Sequence, residues 1–128
     1  MVEQIAKFRL MNFSIVKSLI EIKDGMEIHD KLNVQFKQTS GINESGHKFK
    51  HTFDINVTDE NGALFINVIT IGVFDFDTDI DDKMRTNFFN INAPAILFPY
   101  VRAHITTLTS LSGIKPIILP TLNLTARA

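Results

Sequence analysis

Alternating aspartates are the residues of this sequence whose spacing comes closest to a metal-binding loop. Asp75, Asp77 and Asp79 stand at the first, third and fifth positions of a calcium-binding loop, where carboxylate oxygens ligate the ion. The rest of the pattern fails, because the sixth position, which should be Gly, is Ile80, and the twelfth, which should be Glu, is Thr86. We therefore predict a solvated acidic loop, with calcium or ligand binding by residues 75–82 as the least favoured alternative.

The histidines and serines are weaker candidates for a metal-binding or catalytic site. His47 and His51 would converge on a helix, but their segment is patterned as a strand, where the two side chains lie ~13 Å apart. His104 is expected at the boundary of the core. No serine stands in a local Ser–His–acid arrangement, and the absence of Cys excludes thiolate catalysis, disulfides and Cys-based zinc sites. We predict no catalytic residue, no metal and no cofactor, and hence a protein that is not an enzyme.

Length and composition indicate one ordinary globular domain. A chain of 128 residues, 45% of them hydrophobic, fits a single domain over residues 1–128. With a net charge of −1, the chain has neither the basic surface that binding to nucleic acid requires nor a polybasic segment that would bind a membrane surface. The sequence has no apolar run of the ~20 residues that a membrane span needs. It also has no signal-peptide pattern near its first residues, so we expect a cytoplasmic protein.

Four segments of the chain have the pattern of β-strands. Residues 31–38 and 47–57 alternate between apolar and polar side chains, as half-buried strands do, whereas residues 63–76 are apolar on both faces. The first segment, residues 5–22, changes its apolar parity near Leu19 and Ile20, which predicts a bulge there. The short connections predict an antiparallel meander, with the fourth strand central or covered on both sides.

Residues 79–90 are polar and compatible with a short turn of helix, and one main helix follows them. Asn92 is expected to cap it, Pro94 suits its first turn, and Gly113 ends it before Pro116. Its apolar stripe consists of Leu97, Val101, Ile105, Leu108 and Ser112. Its opposite face carries Arg102, Thr106 and Thr109. The predicted fold class is α+β: a four-stranded antiparallel sheet, one main helix on one face, and an extended C-terminal crossover segment.

The apolar surface of this fold exceeds what one helix can cover. A single helix shields only part of a four-stranded sheet, and the two-faced fourth strand and residues 117–119 add further apolar surface. A lone subunit would expose patches well above the few hundred Å² that monomers tolerate. We therefore predict a homo-oligomer, and the sequence leaves the choice between dimer and tetramer open.

The helix and the segment after it resemble the signature region of the protein-export chaperone SecB family. The run ILFPYVRAHITTLTSLSG, residues 96–113, is similar to the family's helix with its L-F-P-Y-[AV]-R pattern. The run PIILPTLNL, residues 116–124, is similar to the family's proline-rich apolar crossover, and ALFINVITIGVF, residues 63–74, resembles its last strand. The resemblance covers nearly the whole chain, and its most specific part is the helix with the crossover.

The resemblance implies an ATP-independent holdase that binds unfolded polypeptide in long apolar grooves. In the family the second strand and the crossover line the groove, which carries over here to Leu32, Val34, Phe36, Ile117, Ile118 and Leu119. The family also packs as a dimer of dimers with its helices between sheets. The residues expected at the oligomer interface are Ile66, Val68 and Thr70 of the fourth strand and Leu97, Val101, Ile105 and Leu108 of the helix.

Several features depart from the family pattern. Glu21 and Phe65 match positions that face the export motor SecA, whereas Lys17 and Asn67 replace acidic residues there. The chain is nearly neutral where the family is strongly acidic. Only four residues follow Leu124, so the family's second helix and its acidic or metal-binding tail are expected to be missing. Engagement of SecA is therefore left open.

Two functions remain in view. The first is a holdase for unfolded or preprotein clients, which are either secreted precursors or a single dedicated partner such as an antitoxin. The second is an adaptor or structural oligomer whose apolar surfaces serve mainly in self-assembly.

Overall fold

The computed structural model of the protein describes residues 7–121. Four strands come first: β1 (Phe8–Ile22), β2 (Leu32–Asn43), β3 (Lys48–Asp59) and β4 (Leu64–Phe76). Three helical segments follow without interruption: α1 (Asp82–Asn87), a π-helical turn (Phe88–Asn92) and α2 (Ala93–Leu111). Residues 114–121 are called the arm. Within the described part of the chain, no helix is both long and apolar enough to cross a membrane.

The four strands form one antiparallel sheet in the order β1-β4-β3-β2. This order confirms the α+β class and the central position of the fourth strand, which is paired on both sides. The expected meander holds from β2 to β4 but is wrong for β1, which pairs with β4. Residues 23–31 form too long a connection for a tight hairpin between β1 and β2. The two-faced β4 also buries more apolar surface between two strands than it would at an edge.

Strand β1 carries two irregularities, neither at the expected place. The bulge predicted near Leu19 and Ile20 is wrong, because the register with β4 shifts around Met11 and around Val16. Each extra residue reverses the alternation of side chains, so that Phe13 still reaches α2, where its ring lies 4.8 Å from that of Tyr100. The sequence shows that the parity changes, but not which residue is extruded from the ladder.

The main helix continues from a short helix, α1, without a break. The expected cap at Asn92 is wrong, because Asn92 is already helical and its side chain makes no capping hydrogen bond. Asp81 caps the region instead, and its carboxylate accepts the backbone N–H of Met84 at 2.8 Å. The π-helical turn ends just before Pro94, which has no N–H to donate. Gly113, with a φ of +83°, follows the end of α2 as predicted.

The core lies between α2 and the sheet face that it covers. Side chains without exposed surface come from both layers: Phe53, Ile55, Val57, Ile66, Val68, Leu97, Val101 and Ile105. Helix α2 approaches β4 closely at Gly72, where an added Cβ atom would lie 2.4 Å from Leu97 Cδ2. Glycine suits this position because a side chain would force Leu97 out of its rotamer or push the helix away from the sheet.

Phenylalanines fill the core beneath the π-helical turn, at the end of β4 away from Leu64. The cluster consists of Phe8, Phe49, Phe74, Phe76, Phe88 and Phe89. The rings of Phe49 and Phe89 stack with centroids 4.1 Å apart. Arg85 lies over the rings of Phe76 and Phe89 and forms an ion pair with Glu44. The cluster holds the helical region against this end of the sheet.

Candidate functional site

Three polar side chains of α2 tie the arm to the helix. Thr106 Oγ1 donates to the carbonyl of Ile117 at 2.8 Å, and Arg102 Nε donates to the carbonyl of Leu119 at 3.0 Å. Thr109 Oγ1 accepts the N–H of Ile117 at 2.9 Å. The arm therefore runs back along α2. The sequence-based placement of Thr109 opposite the core stripe is wrong, because the arm and the core leave this residue no exposed surface.

Side chains of the arm alternate between the core and the surface. Ile117 and Leu119 are buried, whereas Ile118 between them is 72% exposed. Successive side chains of an extended chain point in opposite directions, so the extended backbone explains this alternation. The arm thus closes part of the core and presents an isoleucine to solvent.

A cavity of about 510 Å³ lies between the arm and the connection from β1 to β2. We call it the aliphatic cavity. Its apolar lining consists of Ile22, Met26, Ile28, Leu32, Leu64, Ile114, Pro116, Ile117 and Ile118, and its polar lining of His29, Asp30 and Lys115. The volume is in the range of pockets that hold small ligands or a few side chains. Such a lining binds by removing apolar surface from water, which is not directional and selects weakly among sequences.

The structure brings together half of the expected groove. The predicted residues that line the aliphatic cavity are Leu32, Ile117 and Ile118. Val34 and Phe36 are half-buried further along the same face of β2 and do not line the cavity. Leu119, which belongs to the arm, is buried in the core and does not line the cavity either.

Several residues that line the cavity were not anticipated from the sequence. Met26 and Ile28 belong to the connection between β1 and β2, and Ile114 begins the arm. Met26 and Ile28 alternate with polar neighbours between Gly25 and β2, and this short alternation is the signal that could have indicated them.

Asp59, a buried carboxylate at the end of β3, joins the turn into β4 to the connection between β1 and β2. Its Oδ1 accepts the N–H groups of Ala63 at 2.7 Å and Leu64 at 2.9 Å. Its Oδ2 accepts the N–H of His29 at 2.8 Å. Burial raises the pKa of Asp59, but the hydrogen bonds from backbone N–H groups outweigh burial and hold the pKa below its ordinary value. The carboxylate is therefore ionised at neutral pH.

Most residues expected at an oligomer interface lie inside the single chain. Those with no exposed surface are Ile66, Val68, Thr70, Leu97, Val101 and Ile105, and Leu108 is half-buried. A covered side chain cannot touch another subunit, so these residues could influence assembly only by holding α2 on the sheet. Their role in assembly stays a prediction. Exposed apolar side chains lie elsewhere, with Met11 and Val16 on the edge strand β1 and Ile96 and Tyr100 on α2.

The pair expected to face SecA lies on the sheet face away from α2. Glu21 and Phe65 are directly opposite each other on β1 and β4, and both line a second cavity of about 560 Å³. On the same face, the buried amide of Asn67 donates to side-chain oxygens of Asp54 and Asn56 at 2.8 Å each. Binding of SecA at this surface stays a prediction.

Basic side chains form ion pairs with all three alternating aspartates, and Lys7, just before β1, pairs with Asp79 at 3.0 Å. Asp75 forms ion pairs with Arg9 at 2.8 Å and with Lys48 at 2.9 Å, and Asp77 pairs with Arg9 at 3.0 Å. Hydrogen bonds from Arg9 and Lys48 hold the pKa of Asp75 below its ordinary value. Calcium would have to compete with these cations. Residues 7–121 contain no group of three or more His, Asp or Glu side chains placed to ligate a metal.

Two histidines occupy different environments. Ser18 Oγ and His104 Nε2 lie 2.8 Å apart, which joins the edge strand β1 to α2. Partial burial lowers the pKa of His104. His51 is buried, and its Nε2 lies 2.7 Å from Gln38 Oε1. Burial lowers the pKa of His51 to about 4, so its imidazole is neutral in the folded protein at neutral pH.

These features define a class of α+β protein in which an extended arm crosses back over the helix beside an aliphatic cavity. Residues 12–126 match the sequence family described as Preprotein translocase subunit SecB. The chain therefore belongs to the SecB family, which confirms the resemblance drawn from the helix and crossover.

Relatives of the chain include proteins named for this family. Protein-export protein SecB of Orientia tsutsugamushi is 26% identical over 106 residues, which are 81% of this chain and 64% of that protein. Protein-export protein SecB of Anaplasma marginale is 25% identical over 115 residues, 88% of this chain and 65% of that protein. An uncharacterized protein of Methanocaldococcus jannaschii is 45% identical over 60 residues, 47% of this chain and 38% of that protein. The chain thus spans less than two thirds of the length of each of these relatives.

Solved structures share the fold. The SecB-like chaperone Rv1957 of Mycobacterium tuberculosis, solved in complex with a ChAD peptide from the HigA1 antitoxin, has a TM-score of 0.74 at 11% identity. The match covers 91% of this chain and 88% of that one. A protein of unknown function from Streptococcus agalactiae has a TM-score of 0.55 at 10% identity, covering 89% of this chain and 97% of that one. At such low identities the likeness concerns the fold alone.

Proposed function

We propose that this protein is an ATP-independent holdase that shields apolar segments of unfolded polypeptides. The observation that carries the proposal is the aliphatic cavity, with the exposed Ile118 among its lining residues. The carbonyls on both sides of Ile118 are bonded to α2, so the backbone holds this side chain outward. An apolar side chain held in water beside an apolar cavity is typical of a binding surface. Membership of the SecB family supports the same function.

We propose that the client binds as an extended segment. Beyond the cavity, Leu32, Val34 and Phe36 continue a half-buried apolar row along β2. Within the described residues β2 pairs with β3 alone, at the end of the sheet. An extended client could place side chains on this row and in the cavity while its backbone lies along β2. In this arrangement the buried side chain of Leu119 anchors the arm in the core.

The proposed setting is a cytoplasmic homo-oligomer, a dimer or a tetramer, that catalyses no reaction. The exposed apolar side chains of β1 and α2 are the surfaces that we expect subunits to share. If secreted precursors are among the clients, Glu21 and Phe65 are the residues through which SecA would be engaged. Binding of purified SecA to the wild type and to a Glu21→Lys variant tests this separately.

Suppression of aggregation tests the holdase function directly. An equimolar amount of the protein should delay light scattering by a chemically denatured client after dilution, without ATP. The Ile118→Asn variant should protect less, because it places an amide where the client would bury apolar surface. Scattering that is identical with and without the wild-type protein would contradict the proposal.

A second candidate is a chaperone dedicated to one partner. It is favoured by the fold shared with a SecB-like chaperone whose structure contains an antitoxin peptide. Affinities for a panel of unrelated unfolded proteins distinguish the two: a general holdase binds them within about tenfold of each other, and a dedicated chaperone binds none of them well. An adaptor that uses its apolar surfaces in self-assembly would bind neither clients nor an apolar dye.

A further inference from the structure

Asp59 divides its two carboxylate oxygens between two separate parts of the aliphatic cavity. Oδ1 takes the N–H groups of Ala63 and Leu64, which belong to the turn into β4 and its first residue. Oδ2 takes the N–H of His29, which belongs to the connection between β1 and β2. Leu64 and His29 both line the cavity. The buried side chain of Asp59, which is 7% exposed, therefore links the start of β4 to the connection between β1 and β2.

Few other hydrogen bonds fix this connection, residues 23–31, which we call the wall. Lys23 N donates to the carbonyl of Ala63 at 2.9 Å, at the start of the wall. Asn61 Nδ2 donates to the carbonyl of Glu27 at 2.9 Å, and Glu60 N donates to the carbonyl of Lys31 at 3.1 Å. Met26 N also donates to the carbonyl of Lys23 at 3.3 Å, but that bond stays within the wall. Among these bonds that tie residues 23–31 to the rest of the described chain, the bond from His29 is the one made by a cavity-lining residue and the one that ends on a charge.

We propose that Asp59 is a positioning residue for client binding, which holds the wall at the distance from the arm that an apolar client side chain needs. The inference rests on the proposed holdase function. Hydrogen bonds to an ionised acceptor are stronger than neutral ones, so this bond resists the displacement that an entering side chain would cause. The wall is otherwise exposed, and its apolar residues Met26 and Ile28 are useful for binding only while they face the arm.

Because the two carboxylate oxygens have different partners, the substitution Asp59→Asn is selective. The amide oxygen of Asn can replace Oδ1 and keep both bonds to the turn. The amide NH₂ then replaces Oδ2 and opposes the N–H of His29, so the bond to the wall is lost. The flipped amide would lose two bonds in place of one, so it is disfavoured. Asp59→Asn should therefore release the wall and leave the turn in place.

The experiment measures three quantities on the chain of 128 residues: hydrogen exchange of residues 23–31 and 60–64, the melting temperature, and the Kd for a fluorescein-labelled, leucine-rich unstructured peptide. Asp59→Asn should speed exchange in the wall but not in the turn, and should weaken peptide binding about tenfold. The matched control is Asp54→Asn, on the same strand but the opposite face, where the carboxylate accepts from Asn67. This control should leave the peptide Kd unchanged, even if it lowers the melting temperature.

Other outcomes overturn the inference. If Asp59→Asn loosens the wall but binds the peptide as tightly as the wild type, Asp59 is structural only. Asp59 is likewise structural only if the Kd changes equally in both variants, in step with the melting temperature. If Asp59→Asn does not fold, His29→Pro removes the donor of the same bond, and an unchanged Kd in that variant contradicts the proposal. Failure of the wild type to bind any unfolded peptide refutes the holdase function itself, which is a distinct result.

Discussion

Thr109 Oγ1 accepts the backbone N–H of Ile117 at 2.9 Å and lies 2.8 Å from the carbonyl of Ile105, to which it donates. One buried hydroxyl thus joins the core face of α2 to the arm. Since the hydroxyl both donates and accepts, it satisfies the buried N–H of the arm without leaving its own proton unpaired. The path of the arm depends on this residue.

Replacing Thr109 with Val should destabilise the protein. Val has nearly the same shape but leaves the N–H of Ile117 buried without an acceptor, which costs about 1–3 kcal/mol. Urea unfolding should show the loss, and hydrogen exchange should localise it to the arm. Thr107→Val is the control, because Thr107 is exposed on α2 and should tolerate the change. Equal stabilities of the two variants would contradict the anchoring role.

Ile118 should matter for clients and not for stability. Its side chain is exposed and lines the aliphatic cavity, so Ile118→Asn removes binding surface without opening the core. We expect the Kd for an unfolded client to rise at least about tenfold, since an aliphatic side chain that becomes buried contributes roughly 1.5–3 kcal/mol and about 1.4 kcal/mol is a factor of ten. Leu111→Asn is the matched control, because Leu111 is 83% exposed and does not line the cavity. A similar loss of binding in both variants would indicate a nonspecific effect of surface hydrophobicity.

Gly72→Ala should loosen the packing of α2 on β4. The added Cβ would lie 2.4 Å from Leu97 Cδ2, so the helix must move or Leu97 must leave its rotamer, at a cost of about 1–3 kcal/mol. Gly41→Ala is the control, since nothing lies within 4 Å of an added Cβ there. A double variant with Leu97→Ala should cost less than the sum of the single changes. Strict additivity would show that the two positions are not in contact.

His51 should make folding sensitive to mild acid. Its pKa is about 4 in the folded protein and 6.5 ordinarily, so the unfolded chain takes up the proton first as pH falls. The unfolded state then binds more protons, and the stability due to neutral His51 is complete above pH 6.5 and is lost as pH falls towards 4. The free energy of unfolding, measured with urea at intervals from pH 7 to pH 5, should therefore decrease.

Variants of both shifted histidines separate their contributions to this slope. His51→Gln should flatten it, because Gln carries no charge in this range. The pKa of His104 is also lowered, so His104→Gln should remove a smaller part. Carboxylates with lowered pKa values, such as Asp75, ordinarily titrate at 3.8 and contribute mainly below this window. An unchanged slope in His51→Gln would contradict the assignment.

Local patterns in the sequence were sufficient for much of the fold. Period-two alternation from Leu32 to Phe36 and the apolar run of β4 indicated two strands and the central place of one of them. Gly113 and Pro116 marked the end of α2. These features are readable because each depends on neighbouring residues and on the period of a single element. The similarity of the helix and crossover to SecB was likewise contained in residues 96–124, and it identified the family.

Features that depend on distant residues were out of reach. The bulges at Met11 and Val16 and the pairing of β1 with β4 are determined by packing between elements far apart in the chain. The candidate site shows the same division. The sequence alone determined the chemical character of the site, aliphatic and without catalytic groups, because composition limits chemistry. Only the tertiary structure decided that residues 23–31 form a wall opposite the arm, because the hydrogen bonds from His29 to Asp59 and from Ile117 to Thr109 join positions whose closeness no local pattern encodes.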